Sequence, residues 1–328
     1  MDNIFIVKSP LQIINSLEAI EYFKLNHNIL VIIHDNDAQN TTQMNSLTSM
    51  YNWKKIIILE SIKKFKFFRD VSFIKKLSKE QYNYMFLSNI TSIHKLLLAN
   101  IKRKKTFYID DGIETISRYN NQFLPNKLNN YRVKQLRYLL TGLKIHIKDN
   151  INLFTYFDLK DFRTSKVIKN DLNHFKKKYL VDTKIDEHIY ILGQPLVSLN
   201  FLKEEDYFKY LDYIISAYDN NIIYIPHRTE IISDRLKSYI SDKFEIKDLH
   251  MPIELYFLQN NIYPSHIIGF ITTAFFTLKK LYSKSNFSYI YISNNKILKN
   301  KKAIMDTYSM IETLNINKIK VDEEDEKN

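Results

Sequence analysis

Tyr108-Ile109-Asp110-Asp111-Gly112-Ile113-Glu114 is the stretch on which the reading of this chain turns. A β-prone run, Lys105 to Ile109, carries two adjacent carboxylates directly into one of only four glycines in 328 residues. A chain this poor in glycine keeps it where the backbone needs a positive φ or a close approach to a ligand. At the C-terminal end of a strand, such a turn is where open α/β sheets bind ligands. Its carboxylates are then candidates for a general base. The alternative is a plain strand-end turn with solvated aspartates.

Working outward, strands and helices alternate on both sides of this turn. Residues 3–8 read as a buried strand, and Ser9-Pro10 opens a helix, since Pro suits the first helical turn. Ile13, Leu17 and Ile20 follow at helical spacing. Strands are expected at 28–33, 56–59 and 84–87, with helices at 10–26, 37–51, 68–79 and 91–101. That alternation predicts a parallel sheet with helices on both faces. Tyr131 to Leu140 reads as a further helix with Val133, Leu136 and Leu140 on one side.

A second alternation begins at the strand 188–192, which ends in Gly193-Gln194-Pro195. Tyr207, Phe208, Leu211, Ile214, Ile215 and Tyr218 form a helical stripe, and Ile222 to Ile225 is a strand closed by Pro226-His227-Arg228. A short helix is expected at Met251–Leu258, opened by Pro252. The strand 265–268 reaches Gly269, and Thr272-Thr273 begin the next helix. Ile304, Tyr308 and Ile311 mark a last helix, expected to pack back, before an acidic tail over 321–328 that is expected to be disordered. The fold class is therefore α/β, with two Rossmann-like domains facing a cleft. We place them at 1–181 and 182–328.

Composition narrows the class. No run approaches the roughly 18 apolar residues of a membrane span, and no signal segment opens the chain, so a cytoplasmic location is expected. The absence of cysteine excludes disulfides, thiolate metal sites and thiol catalysis together. Charge is uneven: residues 1–180 hold 30 Lys+Arg against 15 Asp+Glu, and residues 181–328 hold 18 against 21. The first half either faces something anionic or is merely rich in lysine. Lys54 to Lys79 mixes nine basic residues with Phe65, Phe67, Phe68 and Phe73. That mixture suits a membrane surface, or equally an aromatic core under a solvated lysine face. No nucleic-acid motif accompanies it.

Three polar clusters sit at strand ends: Asp110-Asp111-Gly112, His227-Arg228 with Glu230, and Gly269 with Thr272-Thr273. Singly, each has an ordinary explanation in capping or surface polarity. Taken in this order, they resemble the motifs of bacterial sialyltransferases: an acidic-acidic-Gly motif, a His-Pro motif and a Ser-Ser/Thr pair. Phe5-Ile6-Val7-Lys8-Ser9-Pro10-Leu11-Gln12 is similar to the first strand and loop of glycosyltransferase family 52. Ile191-Leu192-Gly193-Gln194-Pro195-Leu196 resembles that family's Gly-x-Pro strand end. Two departures stand out: Arg228 replaces the Pro of His-Pro, and Thr272-Thr273 replaces the serine pair.

The resemblance implies the glycosyltransferase B arrangement and an inverting, metal-independent transfer of sialic acid from CMP-sialic acid. The acceptor it implies is a galactose-type hydroxyl on a bacterial surface polysaccharide or lipooligosaccharide, reached at the inner face of the cytoplasmic membrane. Asp111, with Asp110 as the alternate, would take the acceptor proton, the like charge next door raising one pKa. His227 as imidazolium would meet the departing phosphate. Thr272, Thr273, Arg228, Gly193, Gln194 and Gly269 fall on the donor side, and Glu254 resembles the family's ribose-binding acid. As an alternative, Glu254 is simply an acid in a first helical turn. Ser9, Gln12 and Gly112 fall on the acceptor side. No cofactor is implied.

Two other readings remain open. The family includes hexosyltransferases, so a UDP-sugar donor is the first alternative. Asp35-Asn36-Asp37 has the D-x-D spacing that holds a divalent metal against a nucleotide diphosphate, or Asp37 is an N-cap. The second is a non-enzymatic, basic nucleic-acid-binding protein.

Overall fold

The structure, a computed structural model, describes residues 1–34, 38–60, 65–130, 133–180, 183–218, 221–249 and 251–321. The chain divides into two compact units, Met1–His174 and Phe175–Asn328. The domain boundary expected between Val181 and Asp182 falls on residues outside those described, as do Asp35, Asp37 and the acidic tail from Asp322 onward.

The first unit holds seven strands: β1 (Asn3–Val7), β2 (Asn28–Ile33), β3 (Lys55–Leu59), β4 (Gln81–Leu87), β5 (Lys102–Ile109), β6 (Asn152–Thr155) and β7 (Val167–Lys169). Their order is β3-β2-β1-β4-β5-β6-β7, and every described pairing is parallel. The helices α1 (Pro10–Tyr22), α2 (Ala38–Thr48), α3 (Lys66–Leu77), α4 (Ser92–Asn100) and α5 (Glu114–Arg118) connect them, and α6 (Asn173–Tyr179) leads out. β1 and β2 are almost unbroken apolar runs because both faces of a parallel strand are covered. Phe5, Phe86 and Phe107 lie in register on β1, β4 and β5. Their rings stack at 4.4 and 5.3 Å. This ladder pins the register of β5, and with it the position of the turn that β5 carries.

The second unit repeats the plan with β8 (Lys184–Leu192), β9 (Ile222–Ile225), β10 (Glu245–Ile246), β11 (Ile262–Gly269), β12 (Asn286–Tyr291) and β13 (Asn317–Lys320). The order β10-β9-β8-β11-β12-β13 is again third, second, first, fourth, fifth, sixth, and again parallel. Its helices are α7 (Glu204–Ala217), α8 (Asp234–Lys243), α9 (Ile253–Gln259), α10 (Ala274–Leu281) and α11 (Lys301–Glu312). α7 buries Tyr207, Leu211 and Ile214 of the stripe read from sequence, and Tyr210 besides. The last helix packs on its own sheet: the Tyr308 hydroxyl donates to the Ile290 carbonyl and accepts from the Ile292 N–H, each at 3.0 Å.

Among the described residues, the helix expected from Tyr131 to Leu140 is a 3-10 helix, Val133–Thr141. Three residues per turn put Val133, Leu136 and Leu139 on one edge and Gln135 and Tyr138 on another. The second edge is buried, and the apolar first edge is exposed.

Candidate active site

In each sheet the strand order reverses between its first and fourth strands, β1/β4 and β8/β11, where open α/β sheets form a crevice at their carboxyl ends. Ile6 pairs with Leu87, so Lys8-Ser9 and Ser88-Asn89 leave adjacent strand ends together. The Asp110-Asp111-Gly112 turn leaves the next strand, β5. Gly112 has φ 63°, the left-handed conformation that a side chain disfavours. That sharp turn swings the chain straight into α5.

The two adjacent aspartates have separate surroundings. Asp110 is fully buried. One carboxylate oxygen accepts from the Thr155 hydroxyl at 2.6 Å and the other from the Tyr156 N–H at 2.7 Å. Its carbonyl accepts from Asn15 Nδ2 at 3.1 Å. Burial pushes its pKa up to about 7, with the Asp111 charge a minor contributor. Asp110 therefore ties β5 to β6 and α1, with both oxygens occupied inside the unit.

Asp111 is only partly covered. Its Oδ1 accepts from Gln12 Nε2 at 2.7 Å, and Asn89 Nδ2 approaches Oδ2 at a long 3.5 Å. Both amides are oriented by backbone. The Lys8 N–H donates to Gln12 Oε1 at 2.6 Å, and the Ile90 N–H to Asn89 Oδ1 at 2.8 Å. Each side chain thus turns its NH₂ toward Asp111. Burial raises the Asp111 pKa, opposed by the Gln12 hydrogen bond and by the charges of Lys8 and Arg118. A carboxylate raised in this way is a stronger base than a solvated one. Ser9 Oγ, Ser88 Oγ and His94 Nε2 are buried with no hydrogen-bond partner among the described residues. Burial and the cations Lys8 and Arg118 lower the His94 pKa to about 3, so its ring is neutral.

In the second unit Leu192, Ile225 and Gly269 lie at one level of the carboxyl edge, because Leu192 pairs with both of the others, and Gly193 and Pro226 follow one residue on. Gly193 is there for space. A Cβ would fall 2.5 Å from Glu230 Oε2 and from the Tyr224 hydroxyl. Glu230 accepts from Tyr224 OH at 2.7 Å and from the His227 N–H at 2.9 Å. The Tyr224 hydroxyl lies 2.8 Å from that of Tyr207, which also hydrogen-bonds the Gln194 backbone. A buried polar chain therefore runs from the end of β8 to the end of β9. Burial pushes the Glu230 pKa up to about 7.

His227 is corrected in one respect. Burial, reinforced by the Arg228 charge, lowers its pKa to about 4, so it is neutral near pH 7 rather than an imidazolium. Its Nδ1 accepts the Thr229 N–H at 3.2 Å. The neutral ring then carries its proton on Nε2, the atom able to donate to an incoming oxyanion.

Glu254 is buried and accepts from the Thr277 hydroxyl of α10 at 2.5 Å. Burial raises its pKa, and the Arg228 charge opposes the shift. Thr272 is buried and Thr273 exposed at the start of α10. Thr272 Oγ1 accepts from the Ala274 N–H at 3.2 Å, so that first N–H is already satisfied. Among the described residues no three His, Cys, Asp or Glu side chains gather as a metal site.

Of the residues read from sequence, Gln12 and Asp111 are joined by a hydrogen bond, Gly112 makes the turn after them, and Gly193 and His227 meet at Glu230. It missed Asn89, which approaches Asp111 only because β4 lies between β1 and β5, and the buried Ser88 and His94. It placed Tyr207 and Tyr224 only as members of a helical stripe and a strand, and missed Thr277.

No protein-family model matches the chain, and no curated protein does. Solved structures do. The sialyltransferase from Photobacterium damsela aligns over 97% of this chain and 81% of its own, at 12% identity and a TM-score of 0.51. The chain has the fold of bacterial sialyltransferases. The α/β-galactoside α-2,3-sialyltransferase of Photobacterium phosphoreum aligns over 97% of this chain and 98% of its own, at 11% identity and a TM-score of 0.50. The UDP-GlcNAc 2-epimerase of Methanocaldococcus jannaschii shares the fold equally, with 15% identity over 94% of this chain and 92% of its own and a TM-score of 0.51.

Proposed function

We propose that this protein is an inverting glycosyltransferase that moves sialic acid from CMP-sialic acid to a galactose-type hydroxyl of a bacterial surface glycan, without a metal. The observation that carries this reading is Asp111. It is a carboxylate of raised pKa, aimed by two oriented amides, at the carboxyl edge of a sheet whose fold sialyltransferases share. The acceptor sits on the first unit, on the side of Ser9, Gln12 and Gly112. Asp111 takes the proton of the attacking hydroxyl as the new bond forms at the anomeric carbon, opposite the departing CMP.

The donor lies on the second unit. His227 Nε2–H and the hydroxyls of Thr272 and Thr273 meet the phosphate of CMP, and Arg228 adds positive charge. The neutral ring gives the phosphate a hydrogen bond that strengthens as charge develops on the departing oxygen, and its proton stays on Nε2. Glu254 holds the ribose in this reading. The protein works at the cytoplasmic membrane face, on a lipid-linked acceptor.

The second reading, a hexosyltransferase using a UDP-sugar, is favoured by the equal likeness to UDP-GlcNAc 2-epimerases. Nucleotide release from a panel of sugar nucleotides separates the two. Release from CMP-sialic acid that survives EDTA is expected. Release from UDP-hexoses alone selects the second reading, and loss of all activity in EDTA points to Asp35 and Asp37 as metal ligands.

A further inference from the structure

The exposed apolar edge of the 3-10 helix does not stand alone. Phe67 of α3 packs on Tyr138, ring centroids 4.9 Å apart, and the Arg137 guanidinium lies 4.6 Å over Phe67. The start of α3 and the 3-10 helix are therefore neighbours, and both turn apolar side chains to solvent. Phe65 is 68% exposed and Phe68 69%, while Val133 is 84% and Leu140 91% exposed. Isolated exposed leucines need no explanation, but aromatic and aliphatic side chains exposed together on two neighbouring elements do. Phe73, on the far side of α3, is buried, so the aromatics of this stretch divide between core and surface.

Charge says what covers the patch. Residues 65–79 and 133–148 hold nine Lys+Arg and one acid, Asp70. Asp70 is buried and neutralised by Arg69 at 2.5 Å. Apolar tips set in a field of cations suit an anionic bilayer, in which aromatic and aliphatic side chains enter the headgroup region while lysines meet lipid phosphates.

We propose that the first unit docks on an anionic lipid surface through Phe65, Phe68, Val133, Leu136, Leu139 and Leu140, with Lys66 and its cationic neighbours on the headgroups. This gives the membrane contact of the reading above its surface and its lipid charge, and it rests on that reading only for the workplace. Vesicle binding is measured without donor or acceptor, so its outcome is separate from that of the transfer assay.

The test is co-sedimentation of the whole chain with vesicles of phosphatidylglycerol and phosphatidylcholine, against pure phosphatidylcholine. Partition at least about tenfold stronger on the anionic vesicles, falling as salt rises, is expected. Phe68→Ser with Leu140→Ser should lower it by about tenfold or more, and Lys66→Glu by about fivefold, with far-UV circular dichroism unchanged. Equal partition on both vesicles, or variants that bind as the wild type does, would overturn the proposal. So would a concentration-dependent dimer in light scattering that the double variant dissolves, since the patch would then be covered by a second copy.

Discussion

The two sheets share one strand order and end in opposite chemistry. At the carboxyl edge of the first, a carboxylate is aimed by amides. At the second stand a neutral imidazole, a threonine pair and a glutamate held inside a tyrosine chain. Parallel pairing with the same order puts a crevice at the same place in each unit, so topology decides where ligands go. The side chains leaving the strand ends decide which ligand each crevice takes. An acid crevice suits a hydroxyl that must lose a proton. A crevice of hydrogen-bond donors suits a phosphate that must leave.

That contrast is sharpest inside one dipeptide, and breaking it there should produce the largest effect. Asp111→Asn keeps the shape and removes the base. Turnover should fall about a hundred- to ten-thousandfold in a nucleotide-release assay, with the urea midpoint near that of the wild type. Asp110→Ala should do the reverse to stability, leaving the Thr155 hydroxyl and the Tyr156 N–H unpaired at a cost of about 1–3 kcal/mol in urea unfolding. An Asp110→Ala protein as stable as the wild type but inactive would show that the two roles are assigned the wrong way round.

In the second unit, Gly193→Ala puts a Cβ 2.5 Å from the Glu230 carboxylate and the Tyr224 hydroxyl. Overpacking there should cost about 1–3 kcal/mol and disturb the His227 loop. Gly269→Ala meets Phe275 and Thr272 side-chain ends at 3.0 Å, so its unfolding midpoint should shift less. Equal shifts would mean that the tyrosine–glutamate chain yields easily and does not hold the loop.

The smallest effect is read against pH. Glu230 holds its proton up to about 7 when folded, against an ordinary value of 4.5. The folded protein therefore binds more protons than the unfolded chain between those values. The stability this lends is full below the lower value and is lost as pH rises through the upper one. Glu230→Gln should flatten that fall only in part, because Asp110 titrates with the same sign. Urea midpoints taken across this interval check it, and an unchanged slope would place the Glu230 pKa near its ordinary value.

Much of this was legible along the chain. Continuous apolar strands and 3.6-residue stripes announce two parallel α/β units. Glycine scarcity marked Gly112 and Gly193, the first for its φ and the second for space. β6 and β7, at four and three residues, carry too little pattern to be seen, although β6 supplies Thr155 to Asp110. The stripe Val133, Leu136 and Leu140 misled because apolar spacing does not distinguish a 3.6-residue turn from a 3.0-residue one.

What the sequence determined by itself was the class of fold and the addresses of its functional turns, because periodicity, glycine and proline act locally. What only the tertiary structure decided was which aspartate is enclosed with both oxygens bonded and which stays partly open. It also decided that His227 carries no charge, and which apolar residues face outward. Each of those outcomes depends on burial and on partners more than 40 residues away, such as Thr155 for Asp110 and Gln12 for Asp111. Desolvation and long-range hydrogen bonds are properties of packing, and no local pattern records them.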